Sequence, residues 1–388
     1  MVRWLFKSGN LTIFKPEREA VFSCFSLKNS CFFECYRHYT FAGMLVASPI
    51  AVLMKKNNEQ NPILSRLTVK SVMWRSLALV CLIVTGLFIL APVLAAADIK
   101  GESYAYNLAN FNGVIHSQWA NIYVDKERHE TYVVDTTTRD IKIFDKNGME
   151  TYVFGDDGSL GYVSDITVDK DGNIILISRT SKDNAIIRCN YRGQPVSRIQ
   201  LKDLPPGFSR FTPNRIVYRE GKLYLAETSA LKIGVTDMHG VFETGYDIAP
   251  LIKVADSKRD ENEITGFSVD RDGNILFTIS VTFQAYRLSP DGTLDSFGKA
   301  GGGPGAFGVA AGIATDHKGF IYVSDKLRCV VSIFDNEFNY IREFGYRGDR
   351  PGNLVVPNDI DIDNDGTVYV SQGASRGISV YKMQYTND

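Results

Sequence analysis

ITVDKDGNIILIS at 166–178, FSVDRDGNILFTIS at 267–280, IATDHKGFIYVSD at 313–325 and IDIDNDGTVYVSQ at 360–372 decide the architecture of this chain. Each reads as a short apolar strand ending on an aspartate, a turn rich in Asp, Asn and Gly, and a second apolar strand. Weaker copies, IYVDKERHETYVVD at 122–135 and IVYREGKLYLAE at 216–227, bring the number to six. Aligned, the six copies place their anchors at Asp125, Asp169, Arg219, Asp270, Asp316 and Asp363, separated by 44, 50, 51, 46 and 47 residues. A unit in the forties that holds several strands is the size of a propeller blade.

Working outward, a third strand follows ten residues after the second in four copies: Asp135 to Asp145, Glu227 to Asp237, Asp325 to Asp335 and Gln372 to Lys382. IKIF at 141–144 and VSIF at 331–334 read as half-buried alternating strands. Fourth strands close on Phe-Gly at 154–155, 297–298 and 344–345. The expected fold is therefore all-β, a six-bladed β-propeller with four-stranded antiparallel blades over 98–388. The last blade stops at its third strand, GISVYKM at 377–383, so its fourth must come from elsewhere. SYAYNL at 103–108 is the expected closing N-terminal strand, since an open sheet edge would otherwise pair with another chain. Between second and third strands, 180–184 and 281–284 depart from the pattern and predict unusual loops.

The D-G-N-I turn, the ten-residue spacing of the third strand and Phe-Gly before a Gly-rich linker such as GKAGGGPGAF (298–307) resemble the NHL repeat. The resemblance covers everything after residue 97. It implies an NHL-like six-bladed propeller and is silent on activity, because propellers carry unrelated functions.

The first 97 residues read differently. SLALVCLIVTGLFILAPVL at 76–94 is uncharged, follows Lys70 and Arg75 and precedes Ala95-Ala96-Ala97. That order is an export signal, with an uncleaved membrane anchor through 76–94 as the alternative within 54–97. Residues 1–53 lack any period and are expected to be a non-native upstream extension or disordered, with Met54 or Met73 as the start. The protein is thus expected to be exported, periplasmic or extracellular.

The 388 residues carry 43 basic and 44 acidic side chains, a formal net charge of −1. No global field attracts nucleic acid, so no nucleic-acid partner is expected. Four of the six cysteines precede residue 98, leaving Cys189 and Cys329, expected on third strands far apart as buried small side chains.

Four residues before the anchors stand Asn121, Asp165, Arg215, Gly266, Gly312 and Asp359, with Asn214 and Asn358 alongside. This ring is the candidate ligand or ion site at the mouth of the central channel. Carboxylates with Asn carbonyls suit Ca²⁺, whereas Arg215 suits an internal salt bridge; apart from Ca²⁺, no cofactor is expected. The D-x-D-G turns lack an EF-hand's closing Glu and read as hairpin turns. His116, His129, His239 and His317 scatter over turns and connections and suggest no zinc centre, and no catalytic triad motif is present. Tyr346, Arg347 and Arg350, in the linker before the sixth blade, are candidate interaction residues, as are Phe208 and Phe211. Two functions follow: a non-catalytic extracytoplasmic scaffold binding a protein or polymer, or a Ca²⁺-dependent hydrolase or lactonase.

Overall fold

The computed structural model describes residues 98–110, 113–114, 120–155, 157–179 and 184–386, together with three short strands near the N-terminus. The chain divides into two units, Met1–Ala95 and Ala96–Asp388. In the first, Phe6–Lys7, Asn10–Ile13 and Ala20–Phe22 pair antiparallel in sequence order. The segment 76–94, the residues 95–97 and the rest of 1–97 lie outside the described residues, as do 180–183 and His116. Among the described residues, no helix is long and apolar enough to cross a membrane.

The second unit is a six-bladed propeller. Blade one holds Asn121–Asp125, Glu130–Asp135, Asp140–Phe144 and Glu150–Phe154, hydrogen-bonded in that order from the central axis outward. Blades two to five repeat this meander, with inner strands Tyr162–Val168, Arg215–Arg219, Ile264–Val269 and Ala310–Thr315. The sixth begins with Pro357–Ile362 and continues through Thr367–Gln372 to Ile378–Tyr385. That last strand lies antiparallel to Ile99–Asn110, in the register Ile378 with Leu108, Val380 with Tyr106 and Tyr385 with Ile99.

The anchor aspartates shape the hairpins that link first to second strands. Asp169 Oδ1 accepts the backbone N–H groups of Asp171 and Asn173, each at 2.9 Å. Asp270, Asp316 and Asp363 repeat this pattern on residues two and four positions ahead. The carboxylate satisfies turn amides that no strand partner reaches, which is why aspartate recurs there. Arg219 instead precedes the two-residue turn Glu220-Gly221, both at positive φ, which needs no side-chain acceptor.

Six apolar clusters hold the disc together, one at each seam between neighbouring blades. In the second strand of blade two, Ile174 and Leu176 face blade one while Ile175 and Ile177 face blade three. Both faces of a blade are therefore covered, and the strands become continuous apolar runs. This corrects the half-buried expectation for the third strands: Ile141–Phe144 and Val330–Phe334 are buried throughout. Even Lys142 is buried, its ammonium held by Asp140 at 2.7 Å and Asp135 at 3.1 Å.

Two further expectations change. Cys329 lies in the turn before its strand, at φ 58°, rather than on it. Phe208 and Phe211 are buried against Phe242 and the seam of blades two and three, and so offer no interaction surface. Both Cys189 and Cys329 are free and buried, and burial pushes the Cys189 thiol up to about 11.

Candidate functional site

Because every inner strand begins at one end of the disc, residues four positions before the anchors meet there in a ring, on what we term the entry face. The ring is not uniform. At Gly266 and Gly312 neighbouring inner strands nearly touch: a Cβ on Gly312 would lie 2.7 Å from Ile360 N and 2.8 Å from Asp359 Cα, and one on Gly266 would run into the Ala311 carbonyl. At two other seams a carboxylate fills the gap. Asp165 Oδ2 accepts Ile216 N–H at 2.8 Å, joining blade two to three, and Asp359 Oδ2 accepts Ile122 N–H at 3.0 Å, joining blade six to one.

Arg215 stands between these carboxylates. Its Nε is 3.2 Å from Asp165 Oδ2 and an Nη is 3.7 Å from Asp359 Oδ2. The Nε contact meets the distance of an ion pair without the alignment of a hydrogen bond, so that buried N–H is under-satisfied. Burial pushes the Asp165 carboxyl up to about 6 despite the opposing pull of Arg215. The two carboxylates in turn hold the Arg215 guanidinium above its ordinary range. Lys326, in the turn after the second strand of blade five, joins the group: burial lowers its ammonium, while Asp359 and Glu263 oppose that shift.

The structure thus gathers Asp165, Arg215 and Asp359 and engages the side chains of Asn121 and Asn214 elsewhere. Asn121 Nδ2 donates to the Ser164 carbonyl at 2.7 Å. Asn214 turns to its own blade, donating to Thr228 Oγ1 at 2.9 Å and accepting Thr228 N–H at 3.0 Å; Thr228 Oγ1 then donates to Glu263 at 2.6 Å. Asn358 contributes its carbonyl to Ser324 Oγ. Asn214 thus spends its amide on Thr228 rather than beside the two carboxylates, and the Arg215 guanidinium lies between them.

From this trio a cavity of about 630 Å³ runs along the axis, past Ile122, Val124, Ile166, Phe267, Ile313 and Ile360, to the hairpins at the opposite end. Charged residues ring that end as well: Lys126, Arg128, Lys170 and Arg219 against Asp125, Asp169 and Glu127. Asp361 lies inside, accepting Val124 N–H at 2.7 Å, with its carboxyl pushed up by burial. Sequence reasoning missed this second rim, although anchors at strand ends predict which residues converge there.

On the entry face, Tyr346, Arg347 and Arg350 are exposed, and Arg347 donates to the Leu327 carbonyl at 2.7 Å. Of the ten exposed large apolar side chains among the described residues, Tyr162, Leu251, Val281, Phe283, Leu327 and Tyr346 belong to this face. The connection 281–284 is a 3₁₀ turn ending in left-handed Phe283, which accounts for its departure from the repeat pattern.

No family model and no curated protein matches the chain. Solved structures do resemble it. A protein assigned as a gluconolactonase superposes with a TM-score of 0.52 at 13% identity, over 76% of this chain and 97% of that one. A Bacteroides thetaiotaomicron protein of unknown function gives 0.51 at 15% identity, over 75% and 74%. Regucalcin from Agrobacterium tumefaciens, described as calcium-binding, gives 0.49 at 15% identity, over 72% and 93%. At these identities the likeness is one of fold: a six-bladed β-propeller.

Proposed function

We propose that the protein is a non-catalytic binding propeller of NHL type, acting outside the cytoplasm and presenting its entry face to a protein or polymer. One observation carries the reading. The charged residues at the mouth pair with one another and the carboxylates bind neighbouring backbone, while loops of several blades on the same face hold apolar side chains in solvent. The repeated D-G-N-I turns and Phe-Gly strand ends support the NHL assignment, and the apolar 76–94 segment supports export or anchoring. A hydrolase or lactonase using Ca²⁺ at Asp165, Asn214 and Asp359 is the competing reading. Arg215 between the two acids, and Asn214 turned to Thr228, weigh against it.

A photo-crosslinking residue at Tyr346 or Leu327, compared with one at Tyr191 on the outer rim, tests the proposal in intact cells. The expected result is one dominant adduct from the entry face and none from the rim. Equal labelling at all three positions, or none, would overturn the proposal. A Ca²⁺-dependent rise in melting temperature that disappears in Asp359→Asn would favour the enzyme.

A further inference from the structure

We infer that the seam between the last and first blades carries a divalent-metal site formed by His129, Asp363 and Asp365. One ligand atom of each lies within 4.8 Å of the others, although the imidazole and the carboxylates come from opposite ends of the propeller sequence. The anchor repeat supplies an independent reason to expect a ligand. In the other aspartate blades the second anchor oxygen receives a side-chain donor. Arg128 serves Asp125 at 2.9 Å, Asn173 serves Asp169 at 3.0 Å, Asn274 serves Asp270 at 2.8 Å, and Tyr322 and Tyr385 serve Asp316 at 3.0 and 2.7 Å.

Asp363 is as buried as Asp125, Asp169 and Asp316, 5% exposed, and its Oδ1 accepts the Asp365 and Thr367 N–H groups. Its Oδ2 receives no donor among the described residues. The position that holds Asn in blades two and four is Thr367, whose hydroxyl is taken by Lys382. Among the aspartate anchors this second oxygen is thus the one that no described side chain serves, which leaves it open to solvent or a cation.

The turn that carries His129 is held on both sides. Arg128 donates to the Lys170 carbonyl of blade two at 2.8 Å, and Asn364 of blade six donates to the Lys126 carbonyl at 3.2 Å. His129 sits at φ 55°, a left-handed conformation that sets the direction of its Cα–Cβ bond. One imidazole with two carboxylates suits a first-row ion of the Zn²⁺ class better than Ca²⁺ or Mg²⁺. Zn²⁺ at about 2.0–2.2 Å from each ligand would draw the three atoms together, with exposed Asp365 free to rotate inward and water completing the tetrahedron. Binding at this seam fastens blade one to blade six and favours the folded state alone.

Untagged, chelator-treated full-length protein is titrated with ZnCl₂ and, separately, CoCl₂ and CaCl₂, following heat capacity, melting temperature and the visible absorption of Co²⁺. One equivalent of Zn²⁺ is expected to bind and raise the melting temperature, and Co²⁺ to develop ligand-field bands. Changes to groups that merely orient a ligand lower affinity about 10–100-fold, so His129→Ala should lose at least that much and Asp365→Asn a comparable amount. Both substitutions lie in hairpin turns outside the strands, and circular dichroism should stay that of the parent. No binding of Zn²⁺ or Co²⁺, undiminished binding by His129→Ala, or a response to Ca²⁺ alone would overturn the assignment.

Discussion

Replacing Arg215 with Met removes the one guanidinium between two buried carboxylates and keeps most of the volume, so the outcome isolates the charge. Loss of one partner from a buried pair costs about 3–5 kcal/mol when the other stays ionised. Here protonation sets a ceiling. The Asp165 carboxyl holds its proton to about pH 6 in the folded protein, against 3.8 ordinarily. Folded protein thus binds a proton that the unfolded chain has released, and this group's contribution to stability falls as pH rises from 3.8 to about 6.

Without Arg215 that window extends upward. At about pH 7.5 the variant can escape by protonating Asp165, roughly 1.5 units above its parental midpoint, which costs about 2 kcal/mol. Near pH 5 both proteins carry the proton and this difference vanishes. With about 2–4 °C per kcal/mol for a domain of this size, the variant should melt about 4–8 °C below the parent at neutral pH, and the gap should narrow sharply at pH 5. Differential scanning calorimetry at the two pH values measures it. An equal gap at both, or none at neutral pH, would refute the claim that Arg215 is the buried counterion of Asp165.

Gly312→Ala should cost about 3 kcal/mol in urea denaturation, the upper end for overpacking, because its Cβ would press on the Ile360 and Asp359 backbone, which cannot rotate away; parental stability would show that the inner strands of blades five and six are not in contact. Deleting 98–108 should strip the strand opposite Ile378–Tyr385, exposing a formerly paired edge and the Tyr381 ring that Tyr104 packs against. Light scattering should then find oligomers or aggregate, and a stable monomer would mean that Ile99–Asn110 is dispensable.

Period and turn chemistry are local, and the sequence by itself determined them: six anchors, hairpin turns on aspartate oxygens and Phe-Gly ends to the outer strands are all written in residues a few positions apart. Burial was less legible. The runs IILI and VSIF look alike whether one face or both are covered, and only packing each blade between two neighbours makes Lys142 and Ser332 interior residues. The mouth was half legible. Asp165, Arg215 and Asp359 follow from counting back from the anchors, yet whether they face one another, and that Asn214 turns instead to Thr228, depends on side-chain directions that spacing does not encode. His129 with Asp363 and Asp365 lay beyond sequence reasoning altogether. Their proximity exists only because the chain returns on itself as a ring, which sets the first blade's turn beside the last.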